Sequence, residues 1–431
     1  MTIFWDKKLL SQMHIELTNG CNAACPMCVR FYNNSPHVRP DLEIGQITLD
    51  KFKSYFPPNI IKKCHLILFC GVHGDPCTAR DTLEICQYIH DCSKSTAVRI
   101  NTNGGMRRPN WWAEMGKLFS LHNLDRPGDP HWEIVFSIDG LESTNHLYRR
   151  NVDWKILIDN VKAFVNEGGY AVWDYLIFKH NEHQIEDAYN FSKELKFRDF
   201  VPKKALGVDN GEYLTQMSVL NKDGKIDYWI EAPTNPKNRN LENPIASLLG
   251  KAYEFDLDYY RQLKANKQSG KDYQTMVESV YTDRINNENF EKYDSCEISC
   301  KSYVWHNKGR EIFVDNFGRV MPCCYIGTHL NGKHTDTQSL QLHKAMNDYG
   351  WDKFSLEEHT LEQILDQGHL DRVFADTWTK PSVKEGKLAY CSEICGKNSR
   401  IDKIFTHETN DKMKMRSKFV EDVKDSTCKI K

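Results

Sequence analysis

Short apolar runs recur along the first half of the chain, at Met13–Leu17, Leu66–Phe69, Val98–Ile100, Ile134–Ile138, Trp173–Phe178 and, more weakly, Phe197–Val201. The intervals between them are long enough to hold helices. Leu83–Asp91 and Ile156–Asn166 place apolar residues at helical spacing inside two of these intervals. Strand and helix alternating in this way predict an α/β fold in which a parallel sheet, covered by helices, curls toward a barrel.

From about residue 205 to 290 the composition turns to Asn, Lys, Asp and Tyr. This stretch contains the turn-rich patch APTNPKNRNLENP and a predicted helix near Tyr259–Lys264, and it is expected to be a connector or insertion. Beyond about 291, strands are predicted on either side of the turn VDNFGRV, and LEQIL is predicted to be helical. No internal repeat stands out.

Composition removes several function classes. Of 431 residues, 40% are hydrophobic and 27% charged, as in an ordinary globular protein. Lys and Arg number 57 against 59 Asp and Glu, a net charge of −2 that argues against nucleic acid or an anionic membrane as partner. No apolar run approaches the roughly eighteen residues of a membrane span, and the opening MTIFWDKKLLSQMHIEL lacks the pattern of a signal peptide. The expected location is therefore the cytoplasm. Fifteen cysteines are then notable, because clustered cysteines in that compartment more often bind metal or do redox chemistry than form disulfides.

The loop after the first strand reads LTNGCNAACPMC and sets Cys21, Cys25 and Cys28 in a Cys-x3-Cys-x2-Cys arrangement. Three thiolates on a four-iron cluster leave one iron open to another ligand. With this loop the sequence resembles the radical S-adenosylmethionine (SAM) superfamily, whose hallmark is this spacing directly after the first barrel strand. The resemblance implies a partial (β/α)6 TIM-like barrel, a catalytic [4Fe–4S] cluster on Cys21, Cys25 and Cys28, and SAM bound at the open iron and cleaved to a 5′-deoxyadenosyl radical. Where the family usually has an aromatic residue before the last cysteine, this chain has Met27, the implied neighbour of the adenine.

Other motifs also follow predicted strands, the face at which a parallel barrel builds its site. CGVHGDP after the second strand resembles the family's glycine-glycine-glutamate-proline motif, which implies that Gly74 and Asp75 hold the SAM ammonium group, with Asp in place of the usual Glu. NTNGG follows the third strand and SIDGLESTNHLYRR the fourth. By the same resemblance Ser137 and Arg149 contact the SAM carboxylate, while Asn103 and Asp139 line the cofactor pocket. A guanidinium matches a carboxylate in two-pronged geometry. Read alone, Asn103-Gly104 and Asp139-Gly140 are also common turn formers.

The later segments CEISCKSYVWHNKGREIFVDNFGRVMPCC and YCSEICG resemble the auxiliary-cluster region called SPASM, or its shortened form, twitch. That resemblance implies a smaller C-terminal α+β domain with a second [4Fe–4S] cluster on Cys300, Cys323, Cys391 and Cys395. Cys296 and Cys324 are substitutes and Cys428 a further ligand or a tail thiol. A four-cysteine zinc site is the alternative that the residue types equally permit. Cys64, Cys70, Cys77, Cys86 and Cys92 show no ligand spacing and are expected to be core residues. The run His180–His183 is expected to lead into a helix, and Trp111-Trp112 to pack a helix first and, as the second reading, to stack on a substrate.

The expected organisation is residues 1–205 as the radical SAM barrel, 206–290 as connector and 291–431 as the auxiliary-cluster domain. The expected function is hydrogen abstraction from a peptide or protein side chain, with a reductant such as flavodoxin or ferredoxin as partner. The alternatives are a dehydrogenase of a small carbohydrate-like molecule and a non-catalytic zinc-binding interaction protein.

Overall fold

The computed structural model describes residues 4–32, 35–124, 132–205, 216–238, 273–300, 302–304, 309–332 and 336–397. The predicted helix near Tyr259–Lys264, much of the 206–290 connector and Cys428 lie outside the described residues. Six strands alternate with helices as far as residue 204: β1 Leu10–Ile15, β2 Leu66–Phe69, β3 Ala97–Thr102, β4 Trp132–Ser137, β5 Ala171–Ile177 and β6 Asp199–Lys204. The helices between them are α1 Leu49–Tyr55, α2 Pro58–Lys63, α3 Thr82–Cys92, α4 Pro109–Asn123, α5 Asn145–Tyr148 and α6 Trp154–Asn166, with α7 Ile185–Glu194 before β6. This is the α/β class and the βα repeat expected of a partial (β/α)6 barrel.

Chain packing forms two compact units. The first comprises the described residues of Met1–Asn22, Met27–Asn101 and Lys251–Lys397, the second those of Ala23–Pro26 and Thr102–Gly250.

In the first unit β1 runs parallel to β2, and β2 to β3. On its other side β1 takes a strand from the last third of the chain, β10 Gly309–Val314, also in parallel. β10 in turn pairs antiparallel with β9 Tyr303–Val304 and β11 Val320–Met321, so strands do flank the turn VDNFGRV. Alternation along β1 sends Met13, Ile15 and Leu17 into the core and leaves the polar Gln12, His14 and Glu16 on the opposite face. Asp81 accepts the Leu49 N–H at the start of α1, and α3 buries Ile85, Cys86 and Ile89. Of the five cysteines expected in the core, Cys64, Cys77 and Cys86 are buried, whereas Cys70 and Cys92 are half-buried. The predicted LEQIL helix is Leu361–Asp366, closed at its start by a capping box between Thr360 and Gln363.

In the second unit β4, β5 and β6 are parallel neighbours. β4 is buried at five successive positions, the signature of a strand covered on both faces. One face gathers Val135, Val172 and Val201. The other packs aromatic rings, with Trp173 at 5.2 Å from Phe197 and 5.6 Å from Phe200, and Trp112 of α4 at 5.3 Å from Phe136. Each such buried ring contributes roughly 1.5–3 kcal/mol. Trp112 also donates its Nε1–H to Met106 O at 2.9 Å, so its role is helix packing. His180–His183 leads through a short turn into α7. A two-stranded hairpin, β7 Gln216–Leu220 and β8 Ile226–Glu231, completes this unit.

Candidate functional site

The residues after β1 are tied to the loop after β2. Gly20 O accepts the Asp75 N–H at 2.8 Å and the Thr78 hydroxyl at 2.7 Å, immediately before Cys21. Glu16, fully buried at the end of β1, accepts through Oε1 the backbone N–H groups of His73 at 2.6 Å and Gly74 at 3.1 Å. A Cβ on Gly74 would stand 1.9 Å from Thr18 O, so only glycine permits this approach of two backbones. Asp75 Oδ1 accepts the Cys77 N–H at 2.9 Å and caps the short turn Pro76–Thr78. The carboxylate that the family resemblance assigns to the SAM ammonium thus also serves the local backbone. Cys21, Met27 and Cys28 are half-buried, and Arg30 donates to Asn19 O beneath this loop.

In the second unit Cys25 is buried, and Ala24 N donates to Arg150 O at 2.9 Å, which fixes the loop beside α5. Arg149 follows α5 directly. Its Nε donates to Asp139 Oδ2 at 2.6 Å, and its Nη1 lies 3.7 Å from Cys25 Sγ. Asp139, at the end of β4, is fully buried and accepts the Leu176 N–H through Oδ1 at 2.6 Å. Burial lifts the Asp139 carboxyl above its ordinary range against the pull of Arg149. At Arg149 burial acts downward, but Asp139 and then Cys25 outweigh it, so the guanidinium stays protonated. Burial likewise pushes the Cys25 thiol up, and Arg149 opposes this. Ser137 is half-buried at the last position of β4. Asn103 Oδ1 accepts the Gly105 N–H at 2.9 Å across Gly104, whose φ of +69° suits glycine.

Three residues of this framework escaped the sequence reading. Glu16 looked like one strand position among others. Asn181, fully buried within the His180–His183 run, donates to Asp139 O at 2.9 Å and Leu176 O at 2.8 Å and accepts from Phe178 N at 2.7 Å. Gln184 accepts from Leu141 N and Thr144 Oγ1 at 3.1 and 2.5 Å. Amides and carboxylates in such runs carry no spacing signal; only the fold shows that Asn181 and Gln184 hold the loop of Asp139 and that Glu16 holds the backbone of His73 and Gly74.

A second group of thiols meets in the first unit. One pocket is lined by Cys300, Cys323, Cys391 and Cys395, together with Trp5 and Trp378. The Cys300 thiol is pushed well up by its contact with Cys395 and by burial. Cys323 and Cys391 are pushed up by burial and by the nearby Cys395. Cys296 and Cys324 are not among the residues lining this pocket. Cys296 donates to Ser392 O at 3.5 Å, while burial and Glu311 push the Cys324 thiol up. Among the described residues no three His, Cys, Asp or Glu side chains form a ready site for a metal ion.

Among the described residues no helix is long and apolar enough to cross a membrane. No protein-family model matches the chain, and no curated protein matches it. Among solved structures it is similar to Streptococcus suis SuiB bound to precursor peptide SuiA, with 14% identity over 90% of this chain and 72% of that one and a TM-score of 0.46. In two further structures, of SuiB and of SuiB bound to S-adenosylmethionine, the chain spans 61% of SuiB. It is also similar to anSMEcpe with bound AdoMet and Cp18Cys peptide, with 13% identity over 86% of this chain and 83% of that one and a TM-score of 0.43. BtrN in complex with AdoMet and 2-DOIA shares 17% identity over 30% of this chain and 46% of that one, with a TM-score of 0.23.

Proposed function

We propose that this chain is a radical SAM enzyme that abstracts a hydrogen atom from a peptide or protein side chain. The observation that carries the reading is the guanidinium of Arg149, fixed by the buried Asp139 and set 3.7 Å from the sulfur of Cys25. A thiol in the Cys-x3-Cys-x2-Cys loop is thereby placed beside a permanent cation, which opposes the burial that otherwise disfavours its thiolate, the form that ligates iron. Cys21, Cys25 and Cys28 would hold a [4Fe–4S] cluster, and Gly74, Asn103, Ser137 and Arg149 would receive SAM, with Met27 toward the adenine. When bound, the cluster and SAM supply the electron and the 5′-deoxyadenosyl radical that takes the hydrogen atom.

The chain's own residues supply placement. Glu16 and Gly74 hold the β2 loop against the β1 loop, so the backbone of residues 73–75 is fixed before any ligand arrives. Asp139 and Asn181 do the same for Arg149. Preorganised donors of this kind cost no rearrangement on binding. The four thiols of Cys300, Cys323, Cys391 and Cys395 suit a second, closed cluster, in keeping with the resemblance of the region from about 296 to 400 to an auxiliary-cluster domain. A low-potential reductant such as flavodoxin or ferredoxin would serve the first cluster. The peptide or protein substrate rests on that same resemblance.

Anaerobically prepared protein should be brown, carry about eight irons per chain and release 5′-deoxyadenosine from SAM under dithionite. Colourless protein that binds zinc and leaves SAM intact would overturn the reading.

A further inference from the structure

The pocket of the second thiol group has two indoles in its wall, and the structure treats their N–H groups differently. Trp5 is held by its backbone, with the Asp371 carboxylate accepting the N–H groups of Phe4 at 2.5 Å and Trp5 at 3.3 Å. Its Nε1–H is committed to Glu311 O at 3.3 Å. Trp378 packs edge-on against both Phe4 and Trp5, with ring centroids 5.1 and 5.7 Å apart. This three-ring stack leaves the Trp378 indole little freedom to turn. Yet Trp378 Nε1 is buried without a hydrogen-bond partner of ordinary geometry. A buried N–H left unpaired costs roughly 1–3 kcal/mol. The Cys391 thiol lines the same pocket as this unpaired donor.

We propose that Trp378 is a positioning residue for the second cluster, donating its indole N–H to the sulfur of Cys391 and thereby raising the cluster's reduction potential. The inference rests on the assignment of Cys300, Cys323, Cys391 and Cys395 as the ligands of an iron–sulfur cluster. An N–H donated to a ligating sulfur strengthens as the cluster gains negative charge, so it favours the reduced form. Its effect is large here because Trp5, Ile326 and Phe374 make the rest of the wall apolar, and an apolar surround screens the dipole little. Trp5 cannot substitute, since its donor is already engaged.

The test is a redox titration of the iron-loaded full chain, followed by EPR, with the first cluster's signal as internal reference. Trp378→Phe should retain the iron of the second cluster and shift its midpoint to a more negative potential. If Trp378→Phe loses that iron, β-(3-benzothienyl)alanine at position 378 decides, because it keeps the ring's shape and lacks only the N–H. In wild-type protein grown with 15N-indole tryptophan, the reduced second cluster should show a 15N hyperfine coupling that Trp378→Phe removes. An unchanged midpoint with the cluster retained would overturn the role of Trp378 and leave the cluster assignment standing. Wild-type protein with zinc, or with no cluster at the second site, would overturn both.

Discussion

Arg149 bridges a carboxylate and a thiol: its Nε lies 2.6 Å from Asp139 Oδ2 and its Nη1 lies 3.7 Å from Cys25 Sγ. The carboxylate is fully buried and is itself fixed by the Leu176 N–H, so the arginine is held from behind and presents its remaining edge to the cysteine loop. Asp139 thus acts through Arg149.

That arrangement sets a stability and a binding expectation. Asp139→Ala leaves the partly exposed Arg149 guanidinium without its carboxylate and should destabilise the protein by roughly 1–3 kcal/mol, read from urea unfolding under reducing conditions. Arg149→Lys keeps a charge but loses the planar fork, and should weaken SAM binding about tenfold or more, read by equilibrium dialysis. Wild-type affinity in Arg149→Lys would show that the guanidinium does not face the cofactor.

Gly74→Ala forces a Cβ to within 1.9 Å of Thr18 O, a backbone atom that cannot step aside alone. The β1 and β2 loops should separate. The melting temperature should fall by several degrees, consistent with a cost of roughly 1–3 kcal/mol. SAM binding should be lost in the same variant. A variant that melts and binds like wild type would mean that the two loops are held together by other contacts.

Most of the scaffold could be read from the chain because its strands are buried and its helices amphipathic. The run at Leu66–Phe69 coincides with β2, and Ile156–Asn166 falls within α6. β10 could be predicted as a strand but not as the neighbour of β1, since a pairing across some 300 residues leaves no local trace. The cysteines and the arginine announced themselves by spacing and motif. Glu16, Asn181 and Gln184 did not, because their work is to satisfy backbone groups whose positions exist only in the folded chain.

Acid should weaken the first unit through His343. Burial pulls this imidazole down to about 4, while its Nε2 faces Gly332 O at 2.9 Å. In the unfolded chain it takes a proton near 6.5. Between these values the unfolded state binds the extra proton, so stability is complete above about pH 6.5 and is lost as the pH falls toward 4, by up to about 1.4 kcal/mol per unit. Urea midpoints measured across this window should slope with pH, and His343→Gln should flatten the slope. An equal slope in that variant would assign the effect to other groups.

Cys323→Ala should lower the iron content from about eight to about four per chain while SAM cleavage by the first site persists under dithionite. Full iron retention would move the ligand role to Cys324, which is half-buried at the start of the next helix.

The most direct test is the release of 5′-deoxyadenosine from SAM by dithionite-reduced protein in which Cys21, Cys25 and Cys28 are all changed to Ala. The expected result is release by the wild type, even without substrate, and none by the triple variant, which keeps the iron of its second cluster. Undiminished release by the triple variant would contradict the assignment of these three thiols.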